Sequence, residues 1–126
     1  MNPAVGYLTH LADQEGVTPI HNHEPSFWLR ARLVDLHSRW NTGRMLTCRH
    51  VLTQPGGVFI TALWLPEVMV CTSCAVDALR LPAAADLTCD RCSAPDPKTR
   101  AVAVDEQGVI VTFGLCPDCY RREMPA

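Results

Sequence analysis

The chain has 126 residues, 48% of them apolar and only 6% aromatic, with seven cysteines and a formal charge of −2. This supports one domain or two small modules around a modest core. It excludes the basic overall balance of a general nucleic-acid binder, and no apolar run is long enough to span a membrane. The odd cysteine count also argues against a framework made only of disulfides.

Taken in chain order, Met1 to Gly6 has no basic start and no long apolar run, which predicts no secretory leader and a reducing, cytoplasmic location. A short helix is expected over Ala4–Gln14, with Tyr7, Leu8 and Leu11 inward, and then a loop from Gly16 to Pro25. His21 and His23 in that loop read as solvated polar residues. The clearest helix starts after Ser26, a suitable N-cap, and stops near Gly43. Leu29, Leu33, Leu36 and Trp40 recur on one face, and Asp35 is placed to pair with Arg32 and Arg39. Residues 1–45 therefore form a helical N-terminal segment without cysteine.

Two similar stretches follow. Leu46-Thr47-Cys48 and Leu87-Thr88-Cys89 each open a ligand turn. Each turn leads into a β-branched hairpin, expected as 58–64 and 68–70 around a Pro66-Glu67 turn, and as 100–104 and 109–113 around Asp105–Gly108. Each hairpin leads to a Cys-x-x-Cys pair, Cys71/Cys74 and Cys116/Cys119, followed by helix-compatible sequence. Pro117 suits the first helical position. Pro82 ends the first unit, which divides the chain into a first zinc module at 46–82 and a second at 87–124.

All seven cysteines fall in these turns. With His50 they give eight ligands, Cys48, His50, Cys71, Cys74, Cys89, Cys92, Cys116 and Cys119, the number needed by two tetrahedral Zn2+ ions. Backbone N–H groups at a helix start favour thiolates. The Cys48-x-His50 turn is one residue shorter than Cys-x-x-Cys, and the longer reach of imidazole can close it. If His50 turned away, His10, His21, His23 or His37 would be the substitutes. Pairing is sequential if the repeat is structural, and the cross-braced arrangement is the alternative.

A ligand turn, a hairpin and a ligand pair opening a helix resemble a treble-clef zinc finger, here twice in tandem over residues 46–124. The resemblance implies a small zinc-stabilised α+β fold with two structural zinc ions. Zinc ribbons are the nearest competitor, but Ala75 and Tyr120 stand where their knuckles usually carry glycine.

No His-x-Glu or His-Glu-x-x-His signature is present, and the expected hairpins carry no histidine, so catalysis by zinc is not expected. A zinc-dependent hydrolase or nuclease is the minor alternative. Seven thiolates and two dications would bring the charge from −2 to −5, leaving residues 26–50 as a single basic segment with five arginines against Asp35. The expected role is a non-enzymatic adaptor or regulator that recognises a protein partner, with no small-molecule substrate. The alternative is DNA or RNA binding through that segment. Candidate partner residues are Arg30, Arg32, Arg39, Arg44 and Arg49, with Trp28 and Trp64. Arginines scattered among Asp35, Asp90 and Asp118, beside an exposed apolar patch around Trp28 or Trp64, would favour the protein partner.

Overall fold

Ser26 caps a fifteen-residue helix, α1 (Phe27–Asn41), its side-chain oxygen accepting from the Leu29 amide. The computed structural model describes residues 18–20, 25–53, 58–79, 87–106 and 108–123. The expected helix over residues 4–14 lies outside them. The other elements are β1 (Thr18–Ile20), β2 (Leu46–Thr47), α2 (Arg49–Thr53), β3 (Phe59–Ala62), β4 (Leu65–Cys71), α3 (Thr72–Ala78), β5 (Arg100–Glu106), β6 (Val109–Leu115) and α4 (Pro117–Glu123).

The strands form one six-stranded sheet in the order β1-β5-β6-β3-β4-β2. The two hairpins, β3–β4 and β5–β6, are antiparallel, and they meet side by side through a parallel β3–β6 pair, Phe59 opposite Val109 to Ala62 opposite Thr112. Because β3 runs with β6, β4 runs against β6. The helices that follow β4 and β6 therefore start at opposite ends of the sheet.

Both faces of the sheet are covered. On one, α1 packs Leu29, Leu33 and Leu36 against Val102, Val111, Phe113 and Leu115. Trp40 completes this stripe as a partly buried residue. On the other face, Leu79 and the partly buried Ala75, at and beyond α3, meet Ile60, Ala62, Ala103 and Ile110. Neighbouring residues such as Val102 and Ala103 are thus buried on opposite sides, as the pleat requires.

Three local expectations are corrected. Residues 18–20 are not loop but a strand, pairing in parallel with Val102–Val104. The first hairpin turns at Leu63-Trp64, and Pro66 and Glu67 lie within β4. The register jumps there: Thr61 opposes Met69 while Ala62 opposes Leu65, so Pro66 falls in a bulge where no ladder N–H is needed. The buried Thr61 hydroxyl donates to the Val68 carbonyl at 2.6 Å and ties the bulge down. Finally, among the described residues Asp35 pairs with Arg39, at 3.1 Å, and not with Arg32, which reaches across to donate to the Leu63 carbonyl.

The end of α4 is joined to α1 by a contact between residues 97 apart in sequence. Glu123, fully buried at the end of α4, accepts from the Ser26 amide and from the Ser26 hydroxyl. A carboxylate there also faces the positive end of the α1 dipole.

Candidate metal centres

The eight residues gather into two groups, Cys48/His50/Cys71/Cys74 and Cys89/Cys92/Cys116/Cys119, the ligand atoms of each within 4.8 Å of one another. The pairing is sequential, with each unit supplying its own four. None of the cysteines is disulfide-bonded. Among the described residues neither group includes a carboxylate.

In the first group, Cys48 follows β2 directly and His50 lies on α2. Cys71 ends β4 and caps α3, which carries Cys74 one turn in. The His50 Nδ1 atom lies 3.5 Å from Cys71 Sγ and 3.4 Å from Cys74 Sγ. The Cys71 amide donates to Cys48 Sγ at 3.3 Å.

The second group is built on a knuckle held by protein contacts of its own. The Cys89 amide donates to the Ala94 carbonyl and the Ser93 amide to the Cys89 carbonyl. Ser93 sits at φ 64°, the left-handed region that closes the turn. Asp90 grips the end of β6 twice: its amide donates to the Gly114 carbonyl at 2.8 Å, and its carboxylate accepts from the Gly114 amide at 2.6 Å. The Arg91 guanidinium lies 5.6 Å from the Trp28 ring centre, and Trp28 meets Phe113 edge-on. Cys116 and Cys119 come from the start of α4, where Pro117 takes the first position.

These separations suit zinc. Four ligands at about 2.3 Å for sulfur and about 2.0 Å for nitrogen in a tetrahedron place two thiolates about 3.8 Å apart and a thiolate about 3.5 Å from an imidazole nitrogen. Cys92 Sγ and Cys116 Sγ are 3.8 Å apart, and the two His50 distances, 3.5 and 3.4 Å, lie within about 0.1 Å of the mixed value.

Electrostatics point the same way. The Cys48 thiol is lowered to about 6, first by the Cys71 amide and then, against the opposing effect of burial, by the Val51 amide and the His50 side chain. Cys74 in the same group is pushed up to about 11 by its hydrogen bond with the Cys71 thiol and by burial. In the second group burial raises Cys89, but the amides of Cys116, Cys92 and Arg91 outweigh it and bring the thiol down to about 7. Cys119 is driven up by burial and by Cys116, Cys89 and Cys92. The Cys92 thiol is also raised: Cys89, burial and Cys116 outweigh the Ala94 amide. Cys48 and Cys89 are thus thiols that ionise readily, while Cys74, Cys92 and Cys119 resist, the pattern of several negative charges competing for one small space. A dication at the centre removes that conflict.

The other candidate residues are dispersed. Trp28 and Trp64 are partly buried against the two cores, the Trp64 indole donating to the Leu79 carbonyl at 3.2 Å. Neither forms the expected exposed patch, because each ring has found a place on the sheet. Arg39 is paired with Asp35, Arg32 is bound to Leu63, and Arg44 donates to the Thr42 hydroxyl. Arg30 and Arg49 are exposed on α1 and α2, and Arg121 pairs with Asp118. Among the described residues the exposed large apolar side chains are instead Phe27 at 90%, Leu46 at 67%, Val34 at 63% and Leu87 at 41%.

Asp90, Arg91, Ser93 and Glu123 were not singled out as supports of the centre. Asp90 and Arg91 carried a signal, since they fill the variable positions between Cys89 and Cys92. The Asp90 carboxyl is raised by burial, against the pull of the Gly114 amide and the Arg32 charge. Glu123 carried no local signal, because its partner lies 97 residues away in sequence.

No described helix is long and apolar enough to cross a membrane. No protein-family model, curated protein or solved structure matches the chain.

Proposed function

We propose that the chain is a non-enzymatic zinc-binding adaptor. Two structural Zn2+ ions, held by Cys48, His50, Cys71 and Cys74 and by Cys89, Cys92, Cys116 and Cys119, would stabilise treble-clef-like units at 46–82 and 87–124. Together the units would form a rigid platform for a protein partner. The observation that carries this reading is the closure of both groups: four soft or imidazole ligands at tetrahedral separations leave no position for a reacting water. The order of ligand turn, hairpin and helix-borne ligand pair in each half supports the treble-clef description.

Two features favour a protein over a nucleic acid. Arg39 and Arg121 are neutralised by Asp35 and Asp118, and Arg32 lies near enough to Asp90 to influence its charge. Meanwhile α1 presents Phe27, Ala31 and Val34 outward at i, i+4 and i+7, an exposed apolar stripe opposite its buried one.

Elemental analysis of purified protein tests the metal, with two zinc ions per chain expected and fewer than one fatal to the reading. Replacement by Co2+ should give thiolate-to-cobalt absorption from both centres. For the role, capture from the native host with the wild type and with Val34→Glu should show a protein partner lost in the variant. Recovery of nucleic acid instead, with binding that falls steeply with salt, would favour the alternative.

A further inference from the structure

We infer that the two centres are unequal: the first is an exchangeable clamp that holds residues 46–53 on the edge of the sheet, and the second is a permanent staple of the core. This rests on the zinc reading above and adds a regulation to it.

Accessibility differs first. In the second group Cys89, Cys116 and Cys119 are 0%, 7% and 3% exposed and belong to the same core as Leu29, Leu36 and Phe113. Only Cys92 faces solvent. In the first group only Cys71 is buried, while Cys48, His50 and Cys74 are half-exposed. A chelator or competing thiol must touch an ion to remove it, and the first centre offers three ligands past which it can do so. The ligand sets point the same way. Four thiolates set more negative charge around a dication than three thiolates and a neutral imidazole, and so hold it by a stronger attraction.

What holds each ligand turn in place differs more. The Cys89–Cys92 turn is fixed by bonds that need no metal: Cys89 to Ala94, Asp90 twice to Gly114, the Thr88–Pro95 bridge, and Arg91 against Trp28. The segment carrying Cys48 and His50 has little of this. β2 is two exposed residues paired in parallel with Val68 and Met69 of β4, and the five-residue α2 is far below the length at which a helix holds itself. Among the described residues both lean chiefly on β4. The one described hydrogen bond from the rest of the fold to this segment outside that ladder goes from the Cys71 amide to a ligand sulfur, and the His50 contacts are to ligand sulfurs. The first ion therefore secures this segment, whereas the second reinforces a turn that is already seated.

Loss of the first ion should release residues 46–53 and bare the outer edge of β4 at Val68 and Met69. The other five strands and α1 should persist, because none of their pairings passes through β2.

The test uses the full chain loaded with two zinc ions, the stoichiometry being measured before any chelator is added. A chain purified without zinc fails the parent reading at that step. Zinc transfer to a chromogenic chelator is then followed in time. One equivalent should leave at least about tenfold faster than the other, a separation that reports two distinct barriers. Cys74→Ser should abolish the fast equivalent and keep the slow one, and His50→Cys should slow the fast one. Hydrogen exchange of the one-zinc form should rise over residues 46–53 and 68–70 and stay low in β5, β6 and α1. Release of both ions in a single phase overturns the inference. So does a fast phase that Cys92→Ser removes and Cys74→Ser spares, or exchange that rises through the whole sheet when the first ion leaves.

Discussion

The two halves of the sheet share one plan and differ in what supports it. In the half built on 100–119, the metal group lies against the main core, beneath α1, and its turn is bonded to the end of β6. In the half built on 59–74, the group lies at the other end of the strands, near the margin, and its turn rests on a two-residue strand. Phe59 is level with both Cys71 and Val109, so the length of β6 to Leu115, about 20 Å of strand, separates the two groups along the sheet. The same ligand chemistry can therefore serve as an interior element or as a peripheral fastening. The surroundings of the ligands decide which.

That contrast is open to attack at several points, the largest first. Structural zinc in small peptides binds with about 10–16 kcal/mol, all of it available to folding. Cys116→Ser should accordingly abolish the cooperative thermal transition of the whole chain in circular dichroism, whereas Cys74→Ser should leave a transition at reduced temperature. Equal damage from the two would erase the distinction. Next comes Ser26, which caps α1 and satisfies Glu123. Ser26→Ala removes the cap and leaves a buried carboxylate short of a donor, and should cost about 1–3 kcal/mol in denaturant unfolding. A loss under a few tenths would mean that the contact is incidental.

Asp90 sharpens the idea that the second turn is seated by the protein. Asp90→Ala strands the Gly114 amide and should cost about 1–3 kcal/mol, while Asp90→Asn keeps an acceptor there and should cost clearly less. Identical losses would show that charge, not the hydrogen bond, is what the turn requires. Ser93 carries the smallest expected effect. A β-carbon in the left-handed region is unfavourable, so Ser93→Gly should stabilise by up to about 1 kcal/mol, seen as a small rise in melting temperature. A fall would mean that the serine side chain has a role in the turn.

The parts legible from sequence are those set by local spacing. Two cysteines three apart reach one ion wherever they occur, and the sequential grouping follows from the repeated unit. The inward face of α1 was legible because Leu29, Leu33 and Leu36 repeat at helical intervals. The parts that escaped depend on distant neighbours. Thr18-Pro19-Ile20 is a strand because β5 offers it an edge, and three residues with a central proline carry no alternation that would announce it. Pro66 read as a turn because a proline interrupted an apolar run, but the bulge opposite Thr61 and Ala62 absorbs it. The merging of both hairpins into one sheet left a trace that could have been read. Val102-Ala103 and Ile110-Val111 are consecutive apolar pairs, and a strand buried on both faces needs such pairs whereas a one-sided hairpin does not. Trp28 and Trp64 went unplaced because nothing local says which strand a tryptophan will lie on.

The closing contacts of this architecture join segments far apart in the sequence. Thr18 meets Val102, and Ser26 meets Glu123 across 97 residues of sequence. During synthesis β1 and the cap of α1 must wait for partners that leave the ribosome much later. Such long-range closure slows folding and lengthens the time in which apolar surface is uncovered. The buried face of α1 has nothing to lie on until β5 and β6 exist, so a nascent chain stalled after the first unit would display Leu29, Leu33 and Leu36 to the solvent. Availability of zinc when Cys116 and Cys119 emerge would then set the moment at which the molecule commits to its fold.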